Sequence, residues 1–430
     1  MRIRNARELA TTPERKAALL LLDAALQACD TTRVMEESVA LANHSLRIKD
    51  QEIDLRIYDR IYVVGGGKGA CTMAAALEGV LGNRITGGIV INTQPRRLRH
   101  IKCVKGTHPL PSAANQRGAR AIAKLVAKAG AGALVLCIIM GGGSVLLADP
   151  HASITSAQRT VRRLLESGAT IQEVNTVRKH LYALAGGNLS AKAYPARVVS
   201  LIVSDVVGND PAYIASGPTT FDQTTVADAR RILAKHKVAA AGLHDTPKER
   251  HKFNRTNNIL LLTSQTAVDA MTRKATQMGL VPAVLDVNQT GEARDAALRL
   301  VRHAPQEAKH VLIAAGETTV TVKGKGKGGR NQELAAAAMV PLAQQQHCAL
   351  ASMGTDGTDH SDVAGAIVDD ASLAAATKKK LDVALALKNN DTYAFFRKLG
   401  KHHIMTGQTG TNVADVMVVV RGPLKGVTLR

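Results

Sequence analysis

Two α/β domains are what this sequence predicts, and three observations carry the prediction. Apolar runs of strand length alternate with helical patterns along most of the 430 residues. Glycine-rich turns stand between several of these runs and the helices that follow, as parallel strands joined by crossover helices require. A polar segment containing a proline, residues 242–255, interrupts the alternation and divides the chain into an N-terminal domain, 1–248, and a C-terminal domain, 249–430.

Taken in order, "IYVV" (61–64) reads as a strand, followed by a glycine loop and the helix "ACTMAAALEGVL". The strand "GGIVI" (87–91) and a helix around 115–129 lead to "ALVLCIIM" (133–140) and a second glycine loop. Two helical segments later comes "RVVSLIVSDVVG" (197–208). Beyond the boundary, "NILLL" (258–262), "VPAVLD" (281–286), "HVLIAAGETTVTV" (310–322), "CALASM" (348–353) and "VMVVV" (416–420) supply the strands of the second domain. Within these, "ETTVTV" alternates Thr and Val as a half-exposed hairpin strand would.

Composition narrows the function. Aromatic residues are 2% of the chain and Trp is absent, so the cores must be built from Leu, Val, Ile and Ala. Lys and Arg outnumber Asp and Glu, 56 to 35, which favours anionic partners. Spread-out basic residues and few rings to stack on bases argue against nucleic acid. Five scattered cysteines with no CxxC pair fit a reducing compartment, hence a cytoplasmic protein. No apolar run approaches the ~20 residues that span a membrane. The Arg-rich start contains Glu8 and Glu14 and flows into an amphipathic helix; it reads as structure, an organellar transit signal being the alternative.

Three glycine loops carry the candidate chemistry. "VVGGGKGA" (63–70) places Gly65, Gly66, Gly67 and Lys68 between a strand and a helix, in the outline of a dinucleotide-binding turn. That outline expects an acidic residue about 20 positions on, where Asn92 stands, and a Walker loop would have Ser or Thr at Gly69. An anion seat and a plain packing turn both fit. "IIMGGGSVLL" (138–147) exposes the amides of Gly141, Gly142 and Gly143 beside the Ser144 hydroxyl: a phosphate cradle or a structural turn. "VKGKGKGGRNQEL" (322–334) sets lysines on glycine spacers, Lys325 among them, and puts Arg330 at a helix start where an anion is favoured. Glu317 precedes it, just past a strand end.

Polar clusters lie between these loops. Asn175, Arg178 and Lys179 fall within about one helical turn. "SDVVGND" places Asp205 and Asp210 after a strong strand, and "MGTDGTDHSD" offers Asp356, Asp359 and Asp362 after another. Carboxylates facing cations on glycine loops are the components of phosphoryl transfer, in which Mg²⁺ sits on oxygen ligands.

These motifs resemble the glycerate 2-kinases of the MOFRL-domain type, a family also labelled hydroxypyruvate reductase. "VVGGGKGACTMAAALE", "GTHPLP", "GGGSVLL", "EVNTVRKHLYALAGGNLSA", "LIVSDVVGNDPAYIASGPT", "GETTVTVKGKGKGGRNQE", "GTDGTD" and "GQTGTNVADV" carry the resemblance in order through nearly the whole chain. It implies a Rossmann-like first domain and a mixed-sheet MOFRL second domain, with the active site in the cleft between them. It further implies ATP-dependent, Mg²⁺-assisted phosphorylation of D-glycerate to 2-phosphoglycerate by a monomer or homodimer. The family's active-site lysine corresponds to Lys68 and its arginine to Arg330. The family's aspartate in "SDVVGND" corresponds to Asp205 or Asp210, and the resemblance implies an acceptor-side or metal role, given to Asp205 first. The rival is an NAD(P)H-dependent hydroxypyruvate reductase. The chain departs from the family at "DHSDVAGA", which is one residue shorter than the usual pattern, and at Met140, Ser112 and Gln408.

Overall fold

A computed structural model describes residues 1–429, which form two compact units that do not follow the chain linearly. One comprises Thr31–Asp205 and Asn209–Leu261; the other comprises Met1–Asp30, Val206–Gly208 and the chain from Leu262 onward.

The first unit opens with a small antiparallel meander, β1 (Val39–Ala42), β2 (Ser45–Ile48) and β3 (Gln51–Asp54). Its main sheet contains β4 (Arg60–Gly66), β5 (Gly87–Asn92), β6 (Ile101–Lys105), β7 (Ala133–Ile139), β8 (Arg197–Val203) and β9 (Thr256–Leu262), in the order β6-β5-β4-β7-β8-β9. Pairing from β6 through β8 is parallel throughout. Every residue of β7 is buried, which is why its sequence is an unbroken apolar run rather than an alternating one.

The run "NILLL" joins this sheet as β9, not the second sheet as its position in the sequence predicts. A chain of polar side chains holds it there. Ser200 Oγ on β8 donates to Thr219 Oγ1 at 2.9 Å, and Thr219 Oγ1 donates to Asn258 Oδ1 on β9 at 2.8 Å. An apolar run suits either sheet; these buried polar partners suit only one.

The second unit carries a mixed sheet of β10 (Val281–Gln289), β11 (His310–Gly316), β12 (Cys348–Gly354), β13 (Gly365–Asp369), β14 (His403–Ile404) and β15 (Asp415–Arg421). Its order is β10-β11-β15-β12-β13-β14, with β10 and β11 parallel and the remaining pairs antiparallel. Its core is built from Leu, Val, Ala and Met around Phe395 and Phe396. The predicted strand "ETTVTV" does not form: past Gly316 only Thr319 makes a bridge, to Glu292. Thr321 instead bonds the Glu292 carboxylate through its N–H and hydroxyl, 3.2 and 2.6 Å, while Val320 packs on the core.

The N-terminal helix Pro13–Ala28 starts at Thr12, whose hydroxyl accepts from the Arg15 N–H. It packs on β12 and β15, which places residues 1–30 with the second unit. Arg15 fixes it there: Nε donates to Asp369 Oδ2 at 2.6 Å, and the two side chains are 3% and 7% exposed. Removing either member of a pair buried this deeply strands a charge, at about 3–5 kcal/mol. Among the described residues no helix is long and apolar enough to cross a membrane.

Candidate active site

Counted from β4, the first sheet reads 3-2-1-4-5-6. In such doubly wound sheets ligands bind beyond the carboxyl ends of the strands where the order reverses. Reversal falls between β4 and β7, and each of these strands runs into one of the glycine turns. The turns interlock. Lys68 N–H donates to the Gly141 carbonyl at 3.0 Å. Gly65 (φ +142°) lies so close to the Ile138 carbonyl that any side chain would collide with it, and a Cβ on Gly67 (φ +155°) would stand 2.5 Å from Met140 Cβ. Gly66 faces the Leu147 side chain. Glycine is needed here because two strand ends meet backbone to backbone.

The second turn is strained on its far side. A Cβ on Gly143 would come within 2.6 Å of Ala215 Cβ, and Ala215 and the next residue, Ser216, have φ of +51° and +61°. Non-glycine residues in that region cost about 1–3 kcal/mol each, and such strain clusters at functional sites. Here it aims the buried Ser216 hydroxyl, which donates to Asn175 Oδ1 at 3.0 Å and lies 2.9 Å from Ser144 Oγ. Because Ser216 gives its hydrogen to Asn175, Ser144 must donate to Ser216. Ser144, predicted as a ligand group, is therefore tied into this network together with Asn175.

Asn175 and Arg178 sit three residues apart on the helix Ile171–Leu181, whose start is closed by a reciprocal Thr170–Glu173 cap. Lys179 turns elsewhere: its Nζ bonds Asp222 Oδ1 at 3.1 Å, with both side chains under 5% exposed. Burial alone would raise the Asp222 carboxyl, but the Lys179 ammonium and Thr224 outweigh it and hold it below the ordinary range.

Lys68, His108 and Arg178 have a different setting. A Cβ on Gly142 would lie 3.3 Å from Lys68 Cγ and 3.1 and 3.3 Å from His108 Cδ2 and Nε2. Burial lowers the His108 imidazole to about 4, helped by the positive charges of Lys68 and Arg178. Burial also lowers the Arg178 guanidinium. Among the described residues neither cation has a carboxylate partner, and neither ring nitrogen of His108 is hydrogen-bonded. His108 was not among the sequence candidates, although it lies in the motif "GTHPLP". At the end of β5, Asn92 is buried and its Oδ1 accepts from Gln94 N at 3.1 Å, so no carboxylate is available there for a ribose.

After β8 come Asp205, half-buried, and Asp210, exposed, whose Oδ1 accepts the Ala212 N–H at 2.8 Å. Between them Asn209, at φ +54°, holds a buried Oδ1 with no hydrogen-bond partner. Among the described residues no three His, Cys, Asp or Glu side chains gather as a metal site. In donor chemistry the Asp205 and Asp210 carboxylates and the orphaned Asn209 amide oxygen are of the kind Mg²⁺ takes, which is commonly held by one or two carboxylates with phosphate and water completing its shell.

In the second unit the helix Arg330–Leu342 begins at Arg330, as the sequence predicts. Its guanidinium is compensated: Nε and Nη2 donate to Asp415 Oδ2 and Oδ1 at 2.5 and 3.0 Å, and Nη1 lies 3.2 Å from Glu317 Oε1. Part of its five-donor fork stays free. Asp359 caps this helix, accepting the backbone N–H of Asn331 and Gln332 at 3.1 and 2.9 Å; burial raises its carboxyl above the usual range. Asp356 closes a turn with Thr358 at 3.0 Å.

The lysine–glycine ladder docks by its backbone. Lys323 and Gly324 N–H donate to Asn390 Oδ1, Gly326 N–H to the Asn389 carbonyl, and Lys327 N–H to Asp391 Oδ1. Side chains at Gly324, Gly326 or Gly328 would collide with residues 389–392. The glycines thus serve this contact, while Lys323, Lys325 and Lys327 face solvent.

Residues 17–249 match the family described as a domain of unknown function (DUF4147), and residues 310–415 match the MOFRL family. Glycerate 2-kinase of Pyrococcus horikoshii is 33% identical, over 96% of this chain and 99% of its own. A protein of Agrobacterium vitis, provisionally named a hydroxypyruvate reductase, is 35% identical over 84% of this chain and 100% of its own. The crystal structure of glycerate kinase from Thermotoga maritima superposes with a TM-score of 0.83 at 32% identity, covering 94% of this chain and 99% of that one.

Proposed function

The chain belongs to the MOFRL-type glycerate kinase family, and on that premise we propose that it transfers the γ-phosphoryl group of ATP to the 2-hydroxyl of D-glycerate. One observation supports this most: Lys68 stands on two interlocked glycine turns at the reversal point of the first sheet, with no carboxylate among the described residues to neutralise it. A dissociative phosphoryl transfer asks the protein for positioning and positive charge, little else. Lys68 supplies the charge, and the Gly141 and Gly142 amides, which meet no acceptor among the described residues, supply fixed donors. Asp205 is the group for the acceptor hydroxyl. Asp205 and Asp210 would hold Mg²⁺, which supplies neutralisation of phosphate charge when bound.

Reduction of hydroxypyruvate by a nicotinamide cofactor finds no support at β5, where Asn92 replaces the ribose-binding carboxylate. The deciding experiment is ADP release with D-glycerate and ATP–Mg²⁺, followed by phosphorus NMR of the product. A 2-phosphoglycerate resonance is expected. NAD(P)H consumption on hydroxypyruvate with no ADP release would overturn the proposal.

A further inference from the structure

Among the described residues, three polar side chains of the first unit, Lys68, His108 and Arg178, have no carboxylate or side-chain hydrogen-bond partner, and two of them meet at one glycine. His108 and Lys68 flank Gly142, and the Arg178 charge acts on the same imidazole. An arginine that is half-buried without a counter-ion is costly unless an anion arrives from outside. Two chemistries could supply that anion, a phosphate or a carboxylate. Phosphate oxygens already have donors in the Gly141 and Gly142 amides, which meet no acceptor among the described residues, and in Lys68. A carboxylate differs in shape: its planar pair of oxygens matches a guanidinium fork.

The chemistry of the acceptor adds a distance constraint. In a 2-hydroxy acid the reacting hydroxyl sits on the carbon that bears the carboxylate, so the acid seat and the phosphoryl seat must be neighbours. Gly142, against which both Lys68 and His108 lie, makes that adjacency. A side chain there would separate them.

We infer that Arg178 and His108 form the seat of the acceptor's carboxylate, Arg178 pairing with its two oxygens and His108 donating one ring N–H, while Lys68 is left to the phosphoryl group. This rests on the kinase proposal and deepens it by assigning what distinguishes a hydroxy acid from an uncharged polyol. The low imidazole value is consistent with the role, since a neutral ring keeps one donor and adds no third charge to an empty seat.

The test compares D-glycerate with its uncharged amide, glyceramide, in steady-state kinetics. Arg178→Gln and His108→Ala are expected to raise KM for D-glycerate roughly 10–100-fold, to leave KM for ATP within about twofold, and to erase the preference for acid over amide. If Arg178→Gln does not fold, Arg178→Lys keeps the charge and loses the fork, so a smaller rise is expected. His108→Gln, which retains an N–H donor, is expected to recover most of the affinity. A shift in KM for ATP in place of D-glycerate would assign the seat to phosphate and overturn the inference. Turnover of D-glycerate with an unmoved acid-to-amide preference would overturn it alone. Absence of D-glycerate turnover in the unsubstituted protein would overturn the kinase proposal and this seat together.

Discussion

Lys68 and Arg330 look alike in the sequence and differ in the folded protein. Each is a cation on a glycine turn that opens a helix. Lys68, with Arg178 near the same imidazole, has no counter-ion among the described residues, whereas Arg330 faces Asp415 through two bonds and Glu317 through a third contact. Uncompensated charge contributes nothing to holding the fold and is available to a ligand. Compensated charge ties helix to strand, and what it offers a ligand is limited to its remaining donors. The two sites should therefore respond to mutation in opposite currencies, stability and turnover.

The largest expected effect breaks the comparison on the stability side. Asp415 is fully buried, so Arg330→Ala should strand its carboxylate and cost about 3–5 kcal/mol, read as a drop in the urea midpoint. An unchanged midpoint would mean that Arg330 is no more structural than Lys68. Next, Lys68→Ala should lower kcat by roughly 10²–10³-fold, the usual loss for one preorganised charge-stabilising donor. Its unfolding free energy should stay within about 0.5 kcal/mol of the original, as for a side chain with no partners. A destabilised Lys68→Ala with normal turnover would invert the assignment.

The smallest effect sharpens the comparison inside the first unit, where Lys179 is the compensated neighbour of Arg178. Folded Asp222 binds its proton less tightly than the unfolded chain does, so the stability it contributes is complete above the unfolded carboxylate value of about 3.9. That contribution is lost as pH falls through the lower folded value. Unfolding free energies of the unsubstituted protein and Asp222→Asn should differ by a constant amount near neutrality and converge in acid. A gap that persists unchanged to the lowest pH at which the protein stays folded would remove the Lys179–Asp222 pair as its source.

Much of this was legible in the chain. Strands buried along most or all of their length write themselves as apolar runs, and β7, β8, β11 and the second half of β4 are visible for that reason. The helix at Arg330 is announced by the glycines before it. Edge and short elements were not legible: β1 to β3, β6 and β14 are four or five residues or fewer, with mixed burial and little periodicity to detect. His108 escaped notice because a lone histidine beside a proline carries no spacing signal. Its meaning comes from Lys68 and Arg178, 40 and 70 residues away in the chain.

By itself the sequence determined the α/β class, the presence of the two glycine turns and the family, because strand burial, positive φ and close backbone approach each demand particular residue types locally. Tertiary structure alone decided which cations are neutralised, which sheet receives residues 256–262, and why residues 1–30 belong with the second unit. Each of those outcomes depends on a partner far away in sequence: Asp415 for Arg330, Thr219 for Asn258, Asp369 for Arg15. Charge compensation and buried hydrogen bonds act over a few ångströms of space, and no local pattern of residues records which distant groups will come that close.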